Sequence, residues 1–193
     1  LIDKDSFREI GGIAGRSEYD EDGNLINFLP ANSVIGQAKI NNRPVIIYGD
    51  DFTVRGGAAD AAIHEKMVAG ERFANEYRMP IIRLIEGTGG GGSVKSLEKD
   101  GYTYVPANPA WDWVVKNMST VPVVSLGLGP VAGLGAARLV SSHYSVIVKK
   151  MSQVFVAGPP VVNRLGETVT KESLGGSEIH GKNGEIDDVA QNE

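Results

Sequence analysis

The chain has 193 residues, of which 41% are hydrophobic, so it is long enough for one compact domain with a sizeable core. Its net charge of -5 offers no positive field for nucleic acid, and we expect no nucleic-acid partner. The absence of cysteine excludes disulfides, a thiolate nucleophile and cysteine-ligated zinc. The longest apolar stretch, residues 121–128, is far shorter than the ~20 residues that cross a bilayer, so we predict no membrane span.

The amino-terminal stretch is rich in turn residues. Gly11, Gly12 and Gly15 follow residues 1–10, and an acidic run then ends in Gly23. This pattern predicts a segment that wraps the surface and contributes little to the core.

A β-hairpin is predicted next. Apolar residues occupy even positions through residues 33–40, and a second apolar run covers residues 45–48. Asn41 and Asn42 lie between the two runs, as is typical of a short hairpin turn.

The rest of the chain alternates strands, glycine turns and helices. Residues 58–76 have apolar positions at helical spacing, and Pro80 closes the segment. The later elements are strand 81–85, the glycine turn 87–92, helix 111–118, strand 121–128, the glycine turn 129–135, and strands 144–148 and 154–156. This alternation predicts an α/β domain with its glycine turns gathered at one end of a sheet.

Glycine turns that lead into a helix expose main-chain N–H groups to an anion or a carbonyl oxygen. They also simply allow the chain to reverse between a strand and a helix. A phosphate-binding P-loop does not fit, because Ser93-Val94-Lys95 follows the first turn instead of Lys-Ser or Lys-Thr. A dinucleotide fingerprint fits poorly, because the spacing from Gly129 to Gly133 is one residue too long. An oxyanion hole for a thioester remains, with one N–H donated from each turn.

Several segments resemble one family. Residues 1–7 are similar to the entry of the carboxyltransferase subunits of propionyl-CoA, methylcrotonyl-CoA and acetyl-CoA carboxylases. Residues 50–57 resemble their D-F-T-x-x-G-G stretch, residues 129–136 their G-P-x-A-G-G-A turn, and residues 155–162 their F-x-x-G-P-x-V-V. Residues 167–180 are similar to G-E-x-V-x-x-E-x-L-G-G…H. These matches occur in the family's order and extend across the whole chain.

The resemblance implies a crotonase/ClpP-like fold of repeated β-β-α units, with residues 1–193 forming the amino-terminal carboxyltransferase domain. It implies that this domain binds an acyl-CoA, and that carboxybiotin, on a separate carrier, is presented largely by the carboxy-terminal domain of a partner subunit. The implied partners are the carrier, a biotin carboxylase component, the missing carboxy-terminal domain and further copies of the chain. The biotin nitrogen would remove the α proton, so the family needs no protein base and no metal in this domain.

The resemblance also suggests site residues. The N–H groups of Ala132 and Gly133 would form one oxyanion hole, together with or beside Gly89 and Gly90. The CoA would lie near Gly56 and Gly57. Independently of the resemblance, Arg55, Lys95 and Lys99 are the cations nearest the glycine turns in the sequence, so they could contact the CoA phosphates or be ordinary surface charges. Residues 86–95 depart from the family's D-S-G-G-A-R-I-Q-E-G, because they contain extra glycine and no arginine.

Two other functions are compatible with the sequence. The same fold could carry a CoA-thioester decarboxylase or hydratase, with Glu86 as an acid or base, although the second turn offers no second carboxylate. The chain could instead be a non-catalytic half that binds CoA or assembles with a partner. His180 is interpreted as either structural or solvent-exposed, and we assign it no part in catalysis. We expect a piece of a longer protein, located in the cytoplasm or the mitochondrial matrix.

Overall fold

The computed structural model describes residues 1–58, 64–87, 98, 101 and 109–193. The strands are β1 (Arg8–Glu9), β2 (Gly15–Tyr19), β3 (Leu25–Pro30), β4 (Ser33–Ile40), β5 (Arg43–Asp50), β6 (Ile81–Gly87), β7 (Val123–Ala132), β8 (Tyr144–Val148), β9 (Gln153–Phe155) and β10 (Asp188–Ala190). The helices are α1 (His64–Glu76), α2 (Trp111–Asn117), α3 (Leu134–Val140), α4 (Pro159–Val162), α5 (Lys171–Gly175) and α6 (Ser177–Asn183). Arg55–Gly57 and Asn163–Leu165 form 3-10 turns.

One mixed sheet organises these elements. Its strand order is β1-β4-β5-β6-β7-β8-β10, and β9 pairs with the far end of β7. The pairs from β5 through β6, β7 and β8 to β10 are parallel, whereas β1 and β4 are antiparallel to their neighbours. The parallel strands therefore end at a common edge, which is where ligands bind in many α/β sheets. The predicted α/β class is confirmed.

The predicted hairpin of β4 and β5 is confirmed, and its turn has a clear physical basis. Asn41 and Asn42 adopt φ angles of 51° and 63°, which the two-residue type I′ turn requires and which asparagine tolerates. The carboxylate of Asp3 accepts the N–H groups of Asn41 and Asn42 over 2.9 and 2.7 Å. The amino-terminal segment is thereby fixed to the end of the hairpin.

Apolar side chains cover both faces of the sheet. Beneath α1, Met67 and Phe73 pack on a buried cluster that includes Ile35, Ile46, Ile81 and Val123. On the opposite face Phe7 packs on a cluster formed by Ala38, Val45, Ile47 and Ile82. A third cluster under α3 contains Ile85, Val131, Ala136, Leu139, Ile147, Val154 and Ile186. These clusters hold β6 and β7 rigidly side by side, which fixes the edge where both strands end.

The amino-terminal stretch differs from its prediction as a turn-rich surface wrap. Residues 15–30 form a separate two-stranded sheet, in which β2 pairs with β3 antiparallel. Most side chains of both strands are exposed, among them Tyr19, Leu25 and Ile26. Because neither face is buried, the strands lack the alternating pattern by which sequence signals a strand.

The observed bounds of three other elements differ from the predicted bounds. Strand β7 continues to Ala132, four residues beyond the predicted end at Leu128, so Gly129 and Pro130 belong to the strand. The pairing with β6 shifts in register between Ile85 and Gly87, an irregularity at which a strand tolerates proline. Strand β9 begins one residue earlier than predicted, and α1 is described only from His64. Among the described residues, no helix has the length and apolar character to cross a membrane.

Candidate active site

The end of β6, where the first glycine turn begins, and the second glycine turn lie at the same edge of the sheet, because β6 and β7 are parallel neighbours. Strand β6 ends at Gly87, which is in register with Val131 of β7. Gly133 follows two residues later and leads into α3. The sequence-based expectation that the turns gather at one end of the sheet is confirmed for Gly87 and Gly133. The assigned donors Gly89 and Gly90, like the assigned phosphate contact Lys95, lie outside the described residues.

A third turn contacts this edge. Arg55, Gly56 and Gly57 all have positive φ, at 57°, 61° and 69°. A side chain at Gly57 would place its Cβ only 2.8 Å from the Cα of Gly87. Glycine is therefore required here both by the backbone conformation and by the close approach of two main chains. The structure places one of the predicted CoA-binding residues, Gly57, beside the start of the first glycine turn, and Gly56 precedes it in the same 3-10 turn.

The second turn depends on an unusual conformation of Gly133. Its φ of 57° and ψ of −122° redirect the chain from β7 into α3. The N–H of Gly133 donates to the carbonyl of Phe155 over 3.1 Å, and Ala132 is the last residue of β7, in register with Phe155. The Gly133 amide is thus engaged in the sheet, and its assignment as an oxyanion donor stays a prediction that requires this bond to open. The first amides of α3, beginning at Leu134, have no acceptor within their own helix.

A carboxyl group lies between the two strands at this edge. A Cβ added at Gly129 would approach Oε1 of Glu86 to 2.3 Å, so the glycine leaves the space that this side chain occupies. Burial raises the pKa of Glu86 above its ordinary value, and the negative charges of Glu193 and Asp50 raise it further. Glu86 is therefore a described carboxyl group at this edge whose hold on its proton is strengthened, as suits a general acid.

The raised pKa of Glu86 predicts a pH dependence of stability. The folded state binds the proton more tightly than the unfolded state, so the contribution of this group to stability is fully present below the unfolded pKa of about 4.5 and is lost as the pH rises through the raised folded-state pKa. We therefore expect Glu86→Gln to gain stability relative to the wild type as the pH rises above about 4.5, until the difference levels off above the folded-state pKa. Urea unfolding of both proteins across this range measures the difference. A difference that stays constant with pH would contradict the prediction.

Buried charges behind the edge connect its elements. Arg83 of β6 forms a bidentate ion pair with Glu71 of α1 over 2.8 and 2.9 Å, and both side chains are almost completely buried. Nη1 of Arg83 also donates to the carbonyls of Arg138 and Ser141 at the end of α3. The side-chain amide of Asn117 donates to Glu71 as well. These bonds fix α3 to the centre of the sheet.

A second ion pair joins Arg138 of α3 to Asp50 at the end of β5, over 3.3 Å. Burial raises the pKa of Asp50, while the positive charge of Arg138 opposes that shift. Sequence analysis did not single out Asp50, Arg138 or Arg83. For Arg83 the sequence did contain a signal, because this arginine interrupts the apolar strand of residues 81–85. A charged residue at such a position is buried only when it has a partner, so a buried ion pair could have been predicted.

His180 has a structural role in the described part of the chain. Its Nε2 lies 2.7 Å from the carbonyl of Val154, and its Nδ1 contacts the carboxylate of Glu185. The hydrogen bond from His180 is the main cause that lowers the pKa of Glu185. Nε2 thus joins α6 to β9, and Nδ1 joins α6 to the segment that follows it. Within the described ranges, no group of three or more potential metal-ligating side chains occurs.

Comparison with known proteins identifies the family. The model of the carboxyl transferase domain matches residues 1–193, which is the full length of the chain. The chain belongs to the carboxyl transferase domain family.

Curated relatives of this carboxyl transferase domain are carboxylase subunits. The chain is 30% identical over 196 residues to a probable methylcrotonoyl-CoA carboxylase beta chain, mitochondrial, of Drosophila melanogaster, covering 97% of this chain and 32% of that protein. It is 32% identical over 160 residues to the mitochondrial propionyl-CoA carboxylase beta chain of Sus scrofa, covering 80% of this chain and 28% of that protein. The domain thus spans about a third of the length of the curated relatives that it matches.

Solved structures support the crotonase-type fold of the domain. The transcarboxylase 12S structure, solved as a hexamer assembly with methylmalonyl-coenzyme A bound, matches with a TM-score of 0.79 and 28% identity, covering 100% of this chain and 37% of that one. A Pseudomonas malonate decarboxylase hetero-tetramer matches with a TM-score of 0.75 at 18% identity, covering 97% of this chain and 72% of that one. The second match shows the fold alone.

Proposed function

We propose that this domain takes part in moving a carboxyl group from carboxybiotin to the α-carbon of an acyl-CoA. The observation that carries the proposal is the family match along the whole chain, together with the position of Gly87 and Gly133 at the same carboxyl edge of the sheet. Curated relatives with this domain are biotin-dependent acyl-CoA carboxylase subunits, and a related transcarboxylase was solved with methylmalonyl-coenzyme A bound.

The chain's own contribution would be to bind and orient the thioester. Main-chain N–H groups at the two turns, with Gly89 and Gly90 in the first and Ala132, Gly133 and the first residues of α3 in the second, would stabilise the negative oxygen that develops when the α proton leaves. A preorganised donor of this kind contributes about 3–4 kcal/mol to the transition state. These donors hold an oxygen and do not themselves move a proton.

The proposed cofactor is carboxybiotin, and the proposed substrate is an acyl-CoA. Bound carboxybiotin supplies the carboxyl group and the nitrogen that takes the α proton. Oxygen atoms of such a cofactor would approach the edge at its glycines and at the first main-chain N–H groups of α3, which have no acceptor within their helix. The CoA moiety is proposed to lie along Gly56 and Gly57, with its phosphates near Arg55 and Lys95; an exposed arginine suits a phosphate.

The proposed partners complete the site. They are the biotin carrier, a biotin carboxylase component, a carboxy-terminal carboxyltransferase domain and further copies of the chain. The support is that the curated relatives are about three times as long as this domain, and that the related transcarboxylase is a hexamer. Residues 1–193 are proposed to act as one domain of that assembly. Because two relatives are mitochondrial, the matrix is proposed as a compartment beside the cytoplasm.

The test is carboxyl transfer measured in the assembled protein. Purified holoenzyme, a carboxylated biotin carrier and a series of acyl-CoA thioesters of increasing length should give radiolabelled carboxyacyl-CoA, and the length that reacts fastest defines the acyl pocket. The isolated domain should give none, because the site is shared between domains. Transfer by the isolated domain would contradict the shared site, and no transfer by the holoenzyme would contradict the function.

A decarboxylase is the second candidate, favoured by the position and raised pKa of Glu86, which could return a proton to an enolate carbon. In this case the holoenzyme would release CO₂ from a carboxyacyl-CoA without any biotin carrier. Glu86→Gln should abolish that release. The same variant should leave biotin-dependent transfer largely intact, because the nitrogen of biotin handles the proton there.

A further inference from the structure

One buried carboxylate contacts both chain segments that carry the glycine turns. Oδ2 of Asp50 accepts the main-chain N–H of Glu86 over 3.3 Å, and its Oδ1 accepts from Nη1 of Arg138 over 3.3 Å. Glu86 immediately precedes Gly87, where the first turn begins, and Arg138 belongs to the helix that follows Gly133. Asp50 therefore bridges two segments that are distant along the chain.

Arg138 also contacts Tyr48 and Arg83. Its guanidinium lies 4.3 Å above the ring centre of Tyr48, and its main-chain carbonyl accepts from Arg83. Its Nε and Nη2 are buried and have no hydrogen-bond partner among the described residues. Replacing a buried ion pair by packed apolar side chains of similar volume is often neutral for stability. The place of this pair, between the end of β6 and α3, suits it to fix these two elements relative to each other.

We propose that Asp50 and Arg138 are positioning residues that fix α3 relative to the end of β6 and so align the main-chain donors of the second turn with the thioester oxygen. The inference rests on the proposed function, because the alignment matters only if the second turn acts on that oxygen. Neither side chain would touch the substrate. Both act through the main chain, Asp50 at Glu86 and Arg138 through α3.

The test compares Asp50→Asn and Arg138→Met in the assembled holoenzyme. We expect kcat for carboxyl transfer to fall roughly 10- to 100-fold in each, because small displacements of catalytic donors have effects of this size. KM for the acyl-CoA should change by less than about two-fold, since the lost alignment matters in the transition state and not in ground-state binding. The double variant should be no slower than either single variant, because both remove the same link. Arg138→Lys, which keeps the charge, should recover part of kcat.

Asp187→Asn is the matched control. Asp187 accepts the N–H and the hydroxyl of Ser145 at the start of β8, so it is also a carboxylate that holds a main chain, but at the opposite end of the strands. This variant should lose stability and keep the kcat of the wild type. If Asp50→Asn loses activity only in proportion to the unfolded fraction, as Asp187→Asn would, the positioning role is overturned.

Hydrogen exchange gives a readout that does not depend on activity. Asp50→Asn and Arg138→Met should each speed amide exchange in both β6 and α3, whereas faster exchange in one segment alone would overturn the link. If the wild-type holoenzyme transfers no carboxyl group, the proposed function fails. The exchange data then still decide whether the two turns are linked.

Discussion

Replacing Arg83 by leucine is expected to lower the free energy of unfolding by about 3–5 kcal/mol, the usual effect of removing one partner of a buried ion pair. The carboxylate of Glu71, whose residue is 0% exposed, would lose both of its bonds to the guanidinium. The carbonyls of Arg138 and Ser141 would lose their donor at the same time. Urea unfolding followed by circular dichroism measures the loss.

Two further variants separate charge from geometry. Arg83→Lys keeps the charge but not the planar fork, so its stability should lie between those of the wild type and Arg83→Leu. The double variant Arg83→Leu with Glu71→Leu should recover part of the loss, because no unpaired buried charge remains. Lys182→Ala is the surface control, since its partner Glu178 is also exposed, and it should change nothing measurable. An Arg83→Leu protein as stable as the wild type would show that the pair is not needed for the fold.

Replacing Gly133 by alanine is expected to reduce carboxyl transfer roughly 100-fold in the holoenzyme, because a small displacement of α3 misplaces the donors of the second turn. The φ of 57° and ψ of −122° at Gly133 are open to glycine and strained for alanine. Strain of this kind amounts to about 1–3 kcal/mol, so the variant should also unfold more easily. Initial rates corrected for the folded fraction separate the two effects.

Gly184→Ala provides the matched control for backbone strain. Gly184 ends α6 with a φ of 80°, and an added Cβ would meet no neighbouring atom within 4 Å. The residue precedes β10 on the side of the sheet where the strands begin, away from the glycine turns. The control should lose stability and retain full activity per folded molecule. Equal losses of activity in both variants would contradict a specific role of Gly133.

Local sequence patterns predicted an element correctly wherever its apolar residues recur with the period of a strand or a helix and form a buried face. The hairpin of β4 and β5, the apolar run of β6 and the helix α2 were all predicted close to their observed bounds. In the two-stranded sheet of β2 and β3 no face is buried, so the sequence shows no period and the strands were missed. The predicted end of β7 was also wrong, because Gly129 and Pro130 usually indicate a turn. Only the pairing of β7 with β6 and β9 keeps these residues in the strand.

The sequence by itself determined the class of fold, the family and the glycines that make close main-chain approach possible. These depend on residue type and on short spacings, which are properties of the chain alone. Only the tertiary structure decided that Gly57, Gly87 and Gly133 lie at one edge, that the amide of Gly133 is engaged with Phe155, and that Asp50 meets Arg138. Such contacts depend on strand order and register, which arise from packing between segments far apart in sequence, and no local pattern encodes them.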